Sequence, residues 1–145
     1  MAKDYFDSSV LLTVLLAEPR AEEAAGLWLE SPGKVSSILL EAECLNGLRR
    51  YVSRMGKKVP SGWLDDRVAY MGECLTDVVT KNIDSEILSQ LRSGKNLSDC
   101  RTLDAIHLAT ALYFSVRGEE ELRVVSFDAK MRETAAKLGL KTLPA

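Results

Sequence analysis

Acidic side chains stand at several positions in this chain where chemistry could use them. Asp7 and Asp128 each follow a short β-branched or aromatic run and precede a helical pattern. In open parallel sheets that junction is where ligands bind, in the crevice outside the carboxyl ends of the strands. Two carboxylates there can converge if their strands are neighbours. Each can equally serve as a helix N-cap, a favoured use of aspartate. The helix expected after Ser36-Ser37 adds Glu41 and Glu43, which lie about 200° apart on the helical wheel, so only one of them can face a given site. Glu41 shares its side with Leu45, Leu48 and Val52, and an acid there suits the positive end of the helix dipole. Glu43 shares its side with Gly47, Arg50 and Arg54, a track on which an acid and two cations could meet a phosphate backbone. A solvated face accounts for the same residues, since charged side chains are mostly exposed. Asp104 opens another helical pattern with His107 three residues on, a spacing that lets two side chains touch one ligand.

Other chemistries find less support. His107 is the only histidine, which removes two-histidine zinc sites; it reads as a core histidine with one ring nitrogen satisfied. No G-x-S-x-G elbow accompanies it for a Ser/His/Asp triad, and neither type of glycine-rich phosphate loop is present. Cys44, Cys74 and Cys100 are odd in number and widely spaced, which suggests buried free thiols rather than a disulfide framework or zinc ribbon. The formal charge of −2 offers no global attraction to a polyanion, so nucleic acid would need a local patch or bound cations. The segment from Arg49 to Lys58 carries five positive charges and no acid. Its Arg50, Arg54, Lys57 and Lys58 are the candidate phosphate contacts, although cations also suit the end of a helix.

The elements that must position these residues are legible from pattern. Candidate strands are Lys3–Phe6, Lys34–Ser36, Asp77–Thr80, Leu122–Phe127 and Lys141–Leu143, each short and separated by longer helical stretches. Helices are expected from the Asp7-Ser8-Ser9 cap, over Ala21–Leu29, from Ser37 to about Arg54, from Trp63 to about Cys74, and over Ser85–Arg92, Thr102–Val116 and Ala129–Leu138. Asp84 is placed to cap the fifth of these, and Gly56, Gly94, Gly118 and Gly139 stand where helices should stop. Strands alternating with helices imply a three-layer α/β/α sandwich around a central, mainly parallel five-stranded sheet. A chain of 145 residues with 46% hydrophobic content is the size of one domain, 1–145. No apolar run is long enough to span a bilayer and the start lacks a signal-peptide core, so a cytoplasmic protein is expected.

Four stretches together resemble the PIN-domain family, and within it the VapC-like toxins of toxin–antitoxin pairs. They are Tyr5-Phe6-Asp7-Ser8-Ser9-Val10-Leu11-Leu12; Val35-Ser36-Ser37 followed by Glu43; Arg101-Thr102-Leu103-Asp104-Ala105-Ile106-His107-Leu108-Ala109; and Val124-Val125-Ser126-Phe127-Asp128. The third is the most specific. The resemblance implies that Asp7, Glu43, Asp104 and Asp128 are the catalytic acids, choosing Glu43 over Glu41 by its spacing from the serine. Ser8, Ser9 and Ser126 would supply hydroxyls that hydrogen-bond to those acids.

It further implies a metal-dependent endoribonuclease with RNA as substrate, a homodimer, and a small antitoxin partner that blocks the acidic groove. Four converging carboxylates repel one another and raise their own pKa values unless cations neutralise them. Hard ions such as Mg2+ or Mn2+ are the expected remedy, with Asp7 and Asp104 as direct ligands and Glu43 and Asp128 completing the site. Two rivals use the same residues differently. A phosphotransfer protein, such as a receiver domain or a haloacid-dehalogenase-like phosphatase, also employs strand-end aspartates, but the latter needs a D-x-D pair and Asp4 and Asp7 are three apart. A non-catalytic module of the same fold would only bind RNA or protein, and sites that have decayed that far usually lose one or more acids.

Overall fold

The computed structural model describes residues 2–118 and 121–145. Five strands, β1 (Lys3–Phe6), β2 (Lys34–Ser37), β3 (Val78–Lys81), β4 (Leu122–Val125) and β5 (Lys141–Leu143), form one sheet in the order β3-β2-β1-β4-β5. All four pairings are parallel, so the sheet expected to be mainly parallel is wholly so.

Between the strands run α1 (Ser8–Leu15), α2 (Ala21–Leu29), α3 (Leu39–Met55), α4 (Trp63–Leu75), α5 (Ser85–Ser93), α6 (Thr102–Arg117) and α7 (Ala129–Lys137). Short 3-10 turns occupy Gly56–Lys58 and Leu97–Asp99. Asp84 caps α5 through the Glu86 and Ile87 amides. Gly56, with φ of 55°, ends α3 in a left-handed conformation that favours glycine. No helix among the described residues is long and apolar enough to cross a membrane.

Side chains alternate across the sheet with the period of two that strands impose, and this builds two cores. Tyr5 and Val124 face α5, α6 and α7, packing with Ile87, Leu108, Ala109, Met131 and Ala135. Phe6 and Val125 face α1 to α4, packing with Leu11, Trp28, Leu40, Leu48 and Met71. Each such side chain contributes roughly 1.5–3 kcal/mol when fully buried. Cys44 belongs to the second core, whereas Cys74 and Cys100 are only half-buried; the expectation of three buried thiols is corrected for those two, which sit near the ends of helices.

The order of strands reverses at β1. Connections from β1 to β3 step one way with their helices on one face, and the crossover through α5 and α6 returns to the far side of β1, covering the other face. The crevice at the carboxyl ends of β1 and β4 is therefore a topological switch point. The strand there ends at Val125, two residues earlier than expected, because its partners Phe6 and Leu143 are the last residues of β1 and β5, and only the Ser126 amide reaches on to the Leu143 carbonyl.

Candidate active site

Asp7 stands immediately after β1 and caps α1, accepting a hydrogen bond from the Ser9 amide at 3.1 Å. The parallel register aligns Phe6 with Val125, which sets Asp7 beside Ser126 one residue beyond the sheet. The Ser126 hydroxyl donates to Asp7 Oδ2 at 2.6 Å and the Ser9 hydroxyl to Oδ1 at 2.5 Å. Those hydroxyls are themselves held: Ser9 Oγ accepts from the Phe127 amide at 2.9 Å, and Ser126 Oγ from the Asp128 amide at 3.0 Å. Two serines thus stitch the ends of β1 and β4 around one buried carboxylate. Ser8 lies elsewhere, half-buried along a groove beside Glu43.

Asp128 caps α7, its Oδ1 accepting from the Lys130 and Met131 amides. Cap and candidate acid are therefore the same residue at both strand ends. The two differ in what the caps leave free. A carboxylate offers about four lone-pair sites; Asp7 has three donors on it and is buried, whereas Asp128 is exposed with Oδ2 outside the cap.

Glu43 and Asp104 come from helices on opposite faces of the sheet, α3 and α6, whose ends meet beyond the strands. Glu43 reaches His107, Oε1 lying 2.5 Å from Nε2. His107 is buried, and its Nδ1 lies 2.7 Å from the Tyr5 hydroxyl. The expectation of a core histidine with one satisfied nitrogen is corrected: both nitrogens are engaged, one in the core and one at the site. Glu41 points away, exposed on the first turn of α3 near Ile38, Leu75 and Val78.

The electrostatics mark the cluster. Burial pushes the Asp7 carboxyl above the ordinary aspartate value, against the opposing pull of Ser126 and Ser9. Burial also raises Asp104, and the negative charges of Asp128 and Glu43 raise it further, while His107 and Arg101 oppose. Asp104 therefore lies within electrostatic reach of two of the other three acids. Among the described residues none of the four is ion-paired to lysine or arginine, and no three His, Cys, Asp or Glu side chains are gathered tightly enough to cage an ion. The donor set nonetheless fits a hard divalent cation: carboxylate oxygens without a protein counter-charge, one lone pair remaining on Asp7, and an Asp128 oxygen clear of its cap.

Beside Glu43 runs a groove of about 270 Å³ lined by Ser8, Leu12, Asn46, Gly47, Arg50 and Leu103. Gly47 lines it where α3 passes close to α1, and a Cβ there would meet Leu12 at 2.7 Å. Arg50 lies on this groove, Arg54 follows it on α3, and Lys57 and Lys58 occupy the 3-10 turn beyond; all four are exposed. Asn46 and Leu103 are wall residues that sequence reading missed. Asn46 could have been found one turn beyond Ala42 on the Glu43 side of the helix, and Leu103 by its place before Asp104.

A parallel α/β sandwich with acids free of lysine and arginine at its switch point is the setting in which the family comparison falls. Residues 5–137 match the PIN domain, and the chain belongs to that family. It is VapC-like within it: Ribonuclease VapC46 of Mycobacterium tuberculosis (strain ATCC 25618 / H37Rv) is 30% identical over 143 residues, covering 99% of this chain and 98% of that protein. The relative's name is that of a ribonuclease, and the alignment spans both chains almost end to end.

Proposed function

We propose that this protein is a metal-dependent endoribonuclease, the toxin of a toxin–antitoxin pair, with Asp7, Glu43, Asp104 and Asp128 as its catalytic acids. The observation that supports the reading is that Asp104 feels the negative charges of Asp128 and Glu43 while none of the four acids is ion-paired to lysine or arginine among the described residues, and the family and the near full-length ribonuclease relative supply the reaction class. Asp7 and Asp104 would hold Mg2+ or Mn2+ directly, with Glu43 and Asp128 completing the site. When bound, the cation activates water for attack on phosphorus and offsets the negative charge that develops on the phosphate.

The protein's own groups do the rest. Ser9 and Ser126 hold the Asp7 carboxylate in one orientation through three donors. Arg50, Arg54, Lys57 and Lys58 hold the RNA backbone along the groove beside Glu43, where cationic side chains add affinity and register rather than sequence. A homodimer, an antitoxin that covers the acidic groove, and a cytoplasmic location accompany this reading by family likeness. An antitoxin arginine suits the role, because guanidinium pairs with carboxylates in charge-assisted hydrogen bonds.

The test is RNA cleavage by protein freed of any partner, with Mg2+ or Mn2+. Wild type is expected to cleave; Asp7→Asn, Glu43→Gln and Asp104→Asn are expected to lose cleavage while keeping a native circular-dichroism spectrum. Wild type that binds RNA but leaves it intact with either ion supports the binding-only alternative instead.

A further inference from the structure

The one histidine lies outside the set of acids just assigned, and it is buried at 1% exposure with a partner on each ring nitrogen. Tyr5 is on the β1 face covered by α5, α6 and α7, His107 is on α6, and Glu43 is on α3 from the other face; the three therefore link the floor of one core, through a helix, to the mouth of the site. We propose that Tyr5 and His107 are positioning residues for Glu43: a buried phenol orients the imidazole, and the imidazole holds one carboxylate oxygen so that the other is turned toward the site. The proposal rests on the nuclease reading of that site and adds residues to it that the four acids do not include.

Proton placement follows from the geometry. Two lone pairs cannot face one another at 2.5 Å, so with Glu43 ionised, as metal binding requires, Nε2 carries a hydrogen and donates it to Oε1. Tyr5 keeps its proton, because burial pushes the phenol well above its ordinary pKa while Ser36, Thr110 and Ser37 around it only partly oppose. Its hydroxyl can then donate to a bare Nδ1 at 2.7 Å. The ring is held from both sides. An exposed glutamate on a helix would sample several rotamers, and freezing it in one costs roughly 1.5–2 kcal/mol of side-chain entropy at most; a buttress from the core meets that cost at folding rather than when the cation or RNA arrives. Hydrogen bonds of this outer kind commonly change metal affinity or activity by roughly 10- to 100-fold when removed.

Glu43 keeps Oε2 free of His107, since the bond uses Oε1 alone. Asp104 sits one turn before His107 on α6. The helix that buttresses Glu43 is therefore the helix that presents Asp104, and one rigid element sets the separation between two of the acids.

The experiment reads the histidine and the cation separately. Because His107 is the only histidine, the ring nitrogens of 15N-labelled protein give one assigned pair of signals. Metal-free wild type is expected to show a ring protonated at Nε2; a ring protonated at Nδ1 alone overturns the arrangement. Mn2+ affinity, followed by the paramagnetic resonance of the free ion, is expected to fall roughly 10- to 100-fold in His107→Ala. It should recover in large part in His107→Gln, whose amide N–H can reach the same carboxylate. With RNA, kcat should fall in His107→Ala while KM changes little, as for a group acting on the transition state rather than on substrate binding. If His107→Ala does not fold, Tyr5→Phe tests the outer link: it keeps the ring in the core, should shift the Nδ1 signal, and should weaken Mn2+ by about fivefold. Wild-type affinity in His107→Ala, or an unmoved Nδ1 signal with unmoved affinity in Tyr5→Phe, overturns the positioning role alone. Wild-type protein that binds no Mn2+ overturns the nuclease reading, and the positioning role with it.

Discussion

The two ends of the sheet, separated by only three residues of β1 or about 10 Å, treat acids in opposite ways. At the amino end, Asp4 is buried and gripped by Arg123 from the neighbouring strand, through bonds of 2.7 and 3.1 Å. Lys34 meets Asp77, and Lys141 meets Glu121, along the same edge. At the carboxyl end, Asp7 is equally inaccessible but has only neutral hydroxyls and an amide as donors, and Asp104 is pushed up in pKa, first by burial and then by Asp128. Folding closes the first set of charges internally. Among the described residues it leaves the second set without lysine or arginine partners, and carboxylates with raised pKa values concentrate at functional sites.

Exchanging charge at the two ends should therefore give opposite results. The largest effect is on cleavage: Asp7→Asn or Asp104→Asn should reduce it by about 10³-fold, the equivalent of the several kcal/mol a cation supplies to a phosphoryl transition state. Urea unfolding of the same metal-free variants should show stability unchanged or raised, since burial penalises both charges and Asp128 and Glu43 add to the penalty at Asp104. At the amino end, Arg123→Met leaves Asp4 buried and unpaired and should cost about 3 kcal/mol in urea unfolding, with cleavage per folded molecule unchanged. Loss of cleavage in Arg123→Met at full folding would blur the distinction between the two ends.

Smaller effects sharpen the contrast. Mg2+ at about ten times its dissociation constant should add ~1.4 kcal/mol to wild-type stability and nothing to Asp104→Asn; an equal gain in both would place the ion elsewhere. The basic track is weaker still. Replacing Arg50 and Arg54 by alanine should lower the salt dependence of single-stranded RNA binding by a slope of about 1.4, or 0.7 for each phosphate that is no longer neutralised, and an unchanged slope removes both from the RNA path.

Much of the architecture is legible in the sequence because its signals are local. Short β-branched runs, the caps at Asp7, Asp84 and Asp128, and the glycine at 56 each act within a few residues, and strands and helices fall within one or two residues of their expected ends. Ser126 shows what local signals leave out at the end of β4: its hydroxyl bonds Asp7 and the Asp128 amide, the first a partnership across 119 residues that no local pattern reveals. The site is legible more unevenly. Strand-end position singles out Asp7 and Asp128, but helical geometry alone leaves Glu41 and Glu43 open, and only family spacing chooses between them. The bond that joins Glu43 to His107 across 64 residues sets Glu43, not Glu41, beside α6, which no local pattern reveals. Adjacency in sequence groups Ser8 with Ser9 and Ser126, yet successive residues on a helix point about 100° apart, and Ser8 faces the groove instead.

The most direct measurement follows RNA cleavage and melting temperature in the same samples as Mn2+ is titrated into EDTA-treated protein. In wild type both should rise with one half-saturation concentration, and in Asp104→Asn neither should respond. Cleavage that persists in excess EDTA, or a melting shift that survives in Asp104→Asn, would contradict a cation-dependent acidic centre at the carboxyl end of the sheet.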